Sequence, residues 1–188
     1  SEIVGVLTKH DERVDKDGPL WSPVVYKGAS KRGNAGVAFL TAAVADVDDG
    51  TPLEAIKAKL DRYEYVVHST FSHTLSHPKY RIIVPFAARV EPADWPAVKE
   101  AIDEQVFEMH SDPAAKDPAR IYYLPSCEPL APYFAEHHEG EFLDPFSLNI
   151  VEHAPSTQLV ATNNSPGTLQ LPLGKSALDF VANGAPLG

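Results

Sequence analysis

Apolar and polar positions fall along the chain in blocks that predict strands interleaved with two helices. Residues 1–18 are polar and charged, with Lys9, Asp11, Glu12, Arg13, Asp15, Lys16 and Asp17 crowded together, and read as a mobile or peripheral lead-in. A strand is expected over 23–27, and the long apolar run over 36–47 reads as a central buried strand. Thr51-Pro52-Leu53-Glu54 has capping-box spacing with proline at the first helical position, so a helix should start there. Leu53, Ile56, Leu60 and Tyr63 give that helix one apolar face. Segments 65–69 and 80–86 are rich in β-branched and aromatic residues and predict two strands joined by a polar, histidine-bearing loop. Over 92–109, Trp95, Val98, Ile102, Val106 and Met109 recur at helical spacing, which leaves Glu100, Asp103, Glu104 and Glu108 as a solvated face. A short strand is expected over 121–124, with edge strands over 133–142 and 146–151.

This order predicts an α/β (α+β) sandwich, a mixed β-sheet with helices packed against it. From His153 onward the composition shifts to Pro, Ser, Thr, Asn and Gly, the chemistry of a linker, and a helix-like pattern resumes at Ser176. The expected organisation is a domain over 1–153, a linker over 154–175 and the start of a truncated helical module over 176–188. With 44% hydrophobic and 9% aromatic residues, the chain matches ordinary globular proteins. No apolar run approaches the ~20 residues that span a bilayer, and the N-terminus lacks a signal-peptide pattern, so a soluble, cytoplasmic protein without membrane contact is expected. The single cysteine, Cys127, can form no internal disulfide and has no zinc-ligand grouping around it. Sixteen basic against 26 acidic residues give a net charge of −10, which confines any nucleic-acid contact to a local patch.

Three segments carry candidate chemistry. In Val44-Ala45-Asp46-Val47-Asp48-Asp49-Gly50, residues two apart share a strand face, so Asp46 and Asp48 project together. Neighbouring carboxylates repel unless a cation lies between them, and hard divalent cations accept such oxygen ligands while keeping positions for substrate phosphates. By the same reasoning, removing either aspartate should hold or raise the stability of the metal-free protein. The alternative is a turn at Asp49-Gly50 with a solvated strand end. Next, Ser69-Thr70-Phe71-Ser72-His73 and Lys79-Tyr80-Arg81 bracket a loop with hydroxyls, an imidazole and two cations, a set able to hold a triphosphate. The same residues also read as ordinary loop histidines and a strand-edge charge. Finally, Asp112-Pro113 and Asp117-Pro118-Ala119-Arg120 precede a strand; one aspartate could complete a metal site and Arg120 could pair with phosphate, or both are Asp-Pro turns. Lys31 and Arg32 form a short basic turn, either solvated or a weak grip on a template strand.

Taken in order, Val44-Ala45-Asp46-Val47-Asp48, then Ser72-His73 with Lys79 and Arg81, then Asp112 ahead of Arg120-Ile121-Tyr122-Tyr123-Leu124-Pro125 resemble the archaeo-eukaryotic primase superfamily, in the branch of primase-polymerase domains of phage and plasmid replication proteins. The resemblance spans 36–125. It implies a catalytic core with an RRM-like element. Asp46, Asp48 and Asp112 would be the catalytic carboxylates that hold two Mg2+ or Mn2+ ions, and Ser72, His73, Lys79, Arg81 and Arg120 would contact an incoming NTP or dNTP. It also implies a single-stranded DNA template as partner, helical and helicase modules on the same longer chain, and two-metal nucleotidyl transfer with primase and polymerase activity. Asp117 competes with Asp112 for the third position. In the family a small-residue, any, His arrangement opens a strand, whereas His73 is expected in a loop.

Two other functions would use the same residues. One is a metal-dependent phosphodiesterase or nuclease with water as nucleophile, and the other a non-catalytic origin-binding module of a replication initiator. Gly174-Lys175-Ser176 lacks P-loop spacing from Gly167, and His137-His138-Glu139 alternates across a strand, so neither is expected to bind phosphate or metal.

Overall fold

The elements run in the order α1 (Glu2–Leu7), β1 (Asp11–Glu12), β2 (Leu20–Trp21), β3 (Val24–Tyr26), β4 (Val37–Val47), α2 (Leu53–Leu60), β5 (Tyr65–Ser69), β6 (Tyr80–Val90), α3 (Trp95–Gln105), β7 (Tyr122–Tyr123), β8 (Ser126–Cys127) and β9 (Ala135–His138), with a 3-10 turn over Asn34–Gly36 ahead of β4. They belong to a computed structural model that describes residues 2–28, 32–108, 110 and 116–150, all in the first of the chain's two units, Ser1–Ala154.

The architecture is α+β. Five strands form one sheet in the order β3-β4-β6-β5-β9. Helix α2 carries the chain from β4 to β5, and β6 returns between them, followed by α3, the split β-α-β-β-α succession of an RRM-like element. The place beside β4 is filled by the preceding strand β3. The expected mixture of strand senses is unevenly spread. All four pairings in this sheet are antiparallel, while parallel pairing occurs between β1 and β8 and in isolated bridges.

Alternation along the strands gives the sheet two apolar faces. On one, Ala43, Ala45, Val47, Val67, Ile82 and Val84 pack under Ile56 and Leu60 of α2 and Trp95, Val98 and Ile102 of α3. Each such side chain stabilises the fold by roughly 1.5–3 kcal/mol when fully buried. On the other, Ala42, Val44, Val66 and Ile83 meet Leu7 of α1, with Trp21, Tyr122 and Leu124 at the margin. The charged N-terminal segment is therefore not peripheral. Its apolar positions cover the second face, and Asp11 and Arg13 donate their backbone N–H groups to the carbonyls of Pro125 and Cys127.

Several local expectations change. The capping box does not form: Pro52 is the N-cap of α2 without a side-chain bond, and the Thr51 hydroxyl lies 3.3 Å from His110 Nδ1 instead. Asp103 is buried rather than solvated, because Lys99 one helical turn earlier is buried beside it and pairs with it. Residues 146–150 form turns and bends, not a strand. Met109, the linker, the helical module and Gly174-Lys175-Ser176 lie outside the described residues. Among the described residues no helix is long and apolar enough to cross a membrane.

Gly140 lies against the backbone of the α2–β5 connection: a Cβ there would stand 2.5 Å from Tyr63 C and 2.8 Å from Glu64 N. Backbone atoms cannot rotate aside. Gly140→Ala is therefore expected to destabilise the protein by about 2–4 kcal/mol, read as a lower urea midpoint; a wild-type midpoint would contradict this close approach.

Candidate functional site

An antiparallel register sets one residue of each strand beside its neighbours. Asp46 of β4 stands opposite Arg81 of β6, and Arg81 opposite His68 of β5. A carboxylate, a guanidinium and an imidazole thus share one row at the end of the sheet face away from α2 and α3. Arg81 Nε donates to Asp46 Oδ1 at 2.6 Å and Nη1 to the Tyr123 carbonyl at 2.9 Å, and the guanidinium lies 4.6 Å over the Tyr122 ring. The two charged side chains are only 11% and 12% exposed. The chain therefore supplies Asp46 with its own counter-charge. The two aspartates therefore differ in what their removal should cost, since without Asp46 a largely buried guanidinium keeps no counter-charge.

Asp48 follows the last residue of β4 and is exposed, with no protein partner for its carboxylate among the described residues. Its carbonyl accepts a bond from His77 Nε2 at 3.0 Å. The next turn needs glycine: Gly50 has φ +85°, and the His77 ring occupies the space where a Cβ would go. Asp49 Oδ1 accepts the Thr51 N–H at 2.9 Å, so the turn chemistry of Asp49-Gly50 is present and holds Asp48 at the strand end.

A pocket of about 270 Å3 opens here, lined by Asp46, Asp48, His68, Lys79, Arg81 and Lys16, with Thr70, Phe71 and Ser72 on one side and Tyr123 to Ser126 on another. Of the residues expected from the sequence, it gathers Asp46, Asp48, Ser72, Lys79 and Arg81. His73 does not line it. The loop folds back through bonds from His73 N–H to Thr70 O and from Thr70 N–H to Lys79 O, which turns the imidazole inward. There His73 Nδ1 accepts the Lys79 N–H at 3.2 Å and the ring sits edge-on to Phe134, so burial lowers its pKa. Arg120 is also away from the pocket, in the turn before β7, where its carbonyl accepts the Ser22 hydroxyl. Asp117 shapes that turn by accepting the Ala119 N–H at 2.9 Å. Arg32 is exposed ahead of the 3-10 turn, and Lys31 and Asp112 lie outside the described residues.

Two ionisable lining residues, His68 and Lys16, carry no motif that marks them in the sequence. His68 is 1% exposed. Its Nδ1 lies 3.0 Å from the Ser69 carbonyl, which can only accept, so Nδ1 carries the proton and Nε2 is left as a buried lone pair without a partner among the described residues. Burial, with a smaller contribution from the Arg81 charge, pushes the His68 pKa down to about 3. His10, whose Nε2 donates to the same carbonyl at 3.0 Å, is lowered by burial as well. The signal for His68 was a lone imidazole at the end of a β-branched run; Lys16 gave none.

These depressed histidines make stability depend on pH. Below the ordinary histidine pKa the unfolded chain takes up protons that folded His68 refuses, so stability is full above about pH 6.5 and is lost as pH falls toward the folded value, by about 1.4 kcal/mol per pH unit from His68 alone. Denaturant titrations in chelator should show this slope between about pH 6.5 and pH 5, and His68→Asn should flatten it. Equal slopes in both proteins would contradict a buried neutral His68.

Among the described residues no group of three or more His, Cys, Asp or Glu side chains is gathered to hold a metal. What is present fits a hard divalent cation that keeps waters and phosphates as further ligands: Oδ2 of Asp46 and the carboxylate of Asp48, on one pocket wall.

The chain matches the VapE N-terminal domain family over residues 24–151. No curated protein matches it. Among solved structures, the archaeo-eukaryotic primase (AEP) domain of the cyanophage S-2L primase-polymerase is similar with a TM-score of 0.48 and 18% sequence identity, over 66% of this chain. The matched region spans 65% of that structure's length.

Proposed function

The chain belongs to the VapE N-terminal domain family, whose matched segment supplies every lining residue of the pocket except Lys16, and on that premise we propose that the pocket is the active site of a DNA-templated nucleotidyltransferase with primase and polymerase activity. The observation that carries this reading is the pair Asp46 and Asp48 at the end of β4, sharing one pocket with the ammonium groups of Lys79 and Lys16.

Asp46 and Asp48, joined by Asp112, would hold Mg2+ or Mn2+. Bound there, the cations would neutralise charge on the attacking 3′-hydroxyl oxygen and on the leaving pyrophosphate. Arg81 fixes the Asp46 carboxylate through Oδ1 and leaves Oδ2 for the cation. Lys79 and Ser72 take phosphate oxygens of the incoming nucleotide. His68, neutral at physiological pH, adds no charge to the pocket floor. No side chain has to act as nucleophile, because phosphoryl chemistry of this kind rests on positioning and charge neutralisation. With a net charge of −10, contact with a single-stranded template would have to be a local patch.

The test supplies single-stranded DNA, labelled nucleotides and Mg2+ or Mn2+. Incorporation abolished by chelator is expected. Shortening of the DNA without incorporation would instead mark a metal-dependent nuclease, and duplex binding indifferent to chelator, with neither activity, an origin-binding module.

A further inference from the structure

One cation of the pocket comes from outside the family segment. Lys16 lines the pocket, yet it lies ahead of residue 24, where the family match begins. We infer that residues 13–19 form a strap that carries Lys16 onto the polyphosphate of the incoming nucleotide; the inference rests on the nucleotidyl-transfer reading above.

The strap is anchored at both ends on the segment that walls the pocket. Before it, β1 pairs with β8 and Arg13 N–H donates to the Cys127 carbonyl. After it, β2 pairs with β7 and Leu124 N–H donates to the Pro19 carbonyl. Between the anchors its shape is set by its own polar groups. Arg13 donates through Nη1 to the Asp17 carbonyl and through Nη2 to Asp11 Oδ2, both at 3.1 Å, and Asp17 N–H donates to Asp15 Oδ1 at 3.0 Å. Tyr123 then ties the strap to the catalytic row. Its hydroxyl donates to Asp17 Oδ1 at 3.0 Å, while its carbonyl accepts the bond from Arg81 that also holds Asp46. Lys16, the neighbour of Asp17, is exposed, and its ammonium has no protein partner among the described residues.

Charge balance points to the same ligand. Arg81 is committed to Asp46, so Lys16 and Lys79 are the pocket cations left to meet an anion. A triphosphate carrying a divalent cation still bears excess negative charge, which two mobile ammonium groups offset.

The test is displacement of a fluorescent nucleotide from the full chain in Mn2+, by dNTP and by inorganic triphosphate. Lys16→Ala is expected to weaken both competitors by about tenfold, with unchanged affinity for single-stranded DNA and an unchanged unfolding midpoint. Lys16→Arg should restore most of the loss, and Tyr123→Phe, which removes the bond to Asp17, should weaken both competitors less. Equal affinities in wild type and Lys16→Ala would overturn the strap assignment and leave the Asp46 and Asp48 reading standing. Loss of DNA affinity in place of triphosphate affinity would overturn it by moving Lys16 to the template. Wild-type protein that binds no nucleotide would overturn both.

Discussion

Asp48→Ala is expected to abolish metal-dependent nucleotide incorporation and to leave the unfolding midpoint unchanged, whereas Asp46→Ala is expected to abolish it at a cost in stability. The shared loss follows from the removal of a proposed metal ligand. Even residues that only support such ligands are worth about 10–100-fold in affinity or activity, so each substitution should cost more than about a hundredfold. The difference in stability follows from what the carboxylates touch. Asp48 is exposed and touches no cation among the described residues, while Asp46 neutralises a guanidinium that is 11% exposed. Leaving Arg81 unpaired should cost on the order of 1–3 kcal/mol. Asp46→Asn keeps an acceptor for Arg81 Nε and should recover stability but not activity. Asp112→Asn should lose incorporation and Asp117→Asn retain it, since Asp117 serves its turn through a bond that asparagine can also accept. Activity in the Asp46→Ala, Asp48→Ala double variant would remove the carboxylate pair from the chemistry.

Lys79→Ala is expected to raise the dissociation constant for nucleotide by roughly ten- to hundredfold, while His73→Ala is expected to lower stability and leave nucleotide affinity near wild type. Lys79 lines the pocket with an ammonium that no protein group occupies among the described residues, and a charge-assisted bond to phosphate is worth about 1.5–3 kcal/mol. His73 is 8% exposed and holds the Lys79 backbone from inside the loop. Nucleotide titrations and urea midpoints on the two variants separate these roles. A large loss of nucleotide affinity in His73→Ala with an unchanged midpoint would return that ring to the pocket.

The sequence made the middle of the sheet legible because its strands are long and their apolar residues keep period. β4 and β5 begin and end within a residue of the segments read as strands, and the faces of α2 and α3 follow from Ile56, Leu60, Val98 and Ile102. The placing of Asp46 and Asp48 together is legible because they close such a strand. The features that local sequence does not reveal depend on partners distant in sequence. The N-terminal segment is charged and short-stranded, and its place is fixed by pairing with residues more than 100 positions later. Nothing local to Arg81 reveals that the register sets it opposite Asp46. His73 and His68 lie five positions apart; the loop turns bury the first and the strand parity carries the second into the pocket.

The most direct measurement offers wild-type protein and Asp48→Ala a homopolymeric single-stranded DNA with each nucleotide in turn, in Mg2+ or Mn2+. Nucleotidyl transfer at this pocket predicts incorporation by the wild type of the complementary nucleotide alone, and none by Asp48→Ala or in chelator. Incorporation that persists in Asp48→Ala, or DNA that shortens while no nucleotide is incorporated, would contradict it.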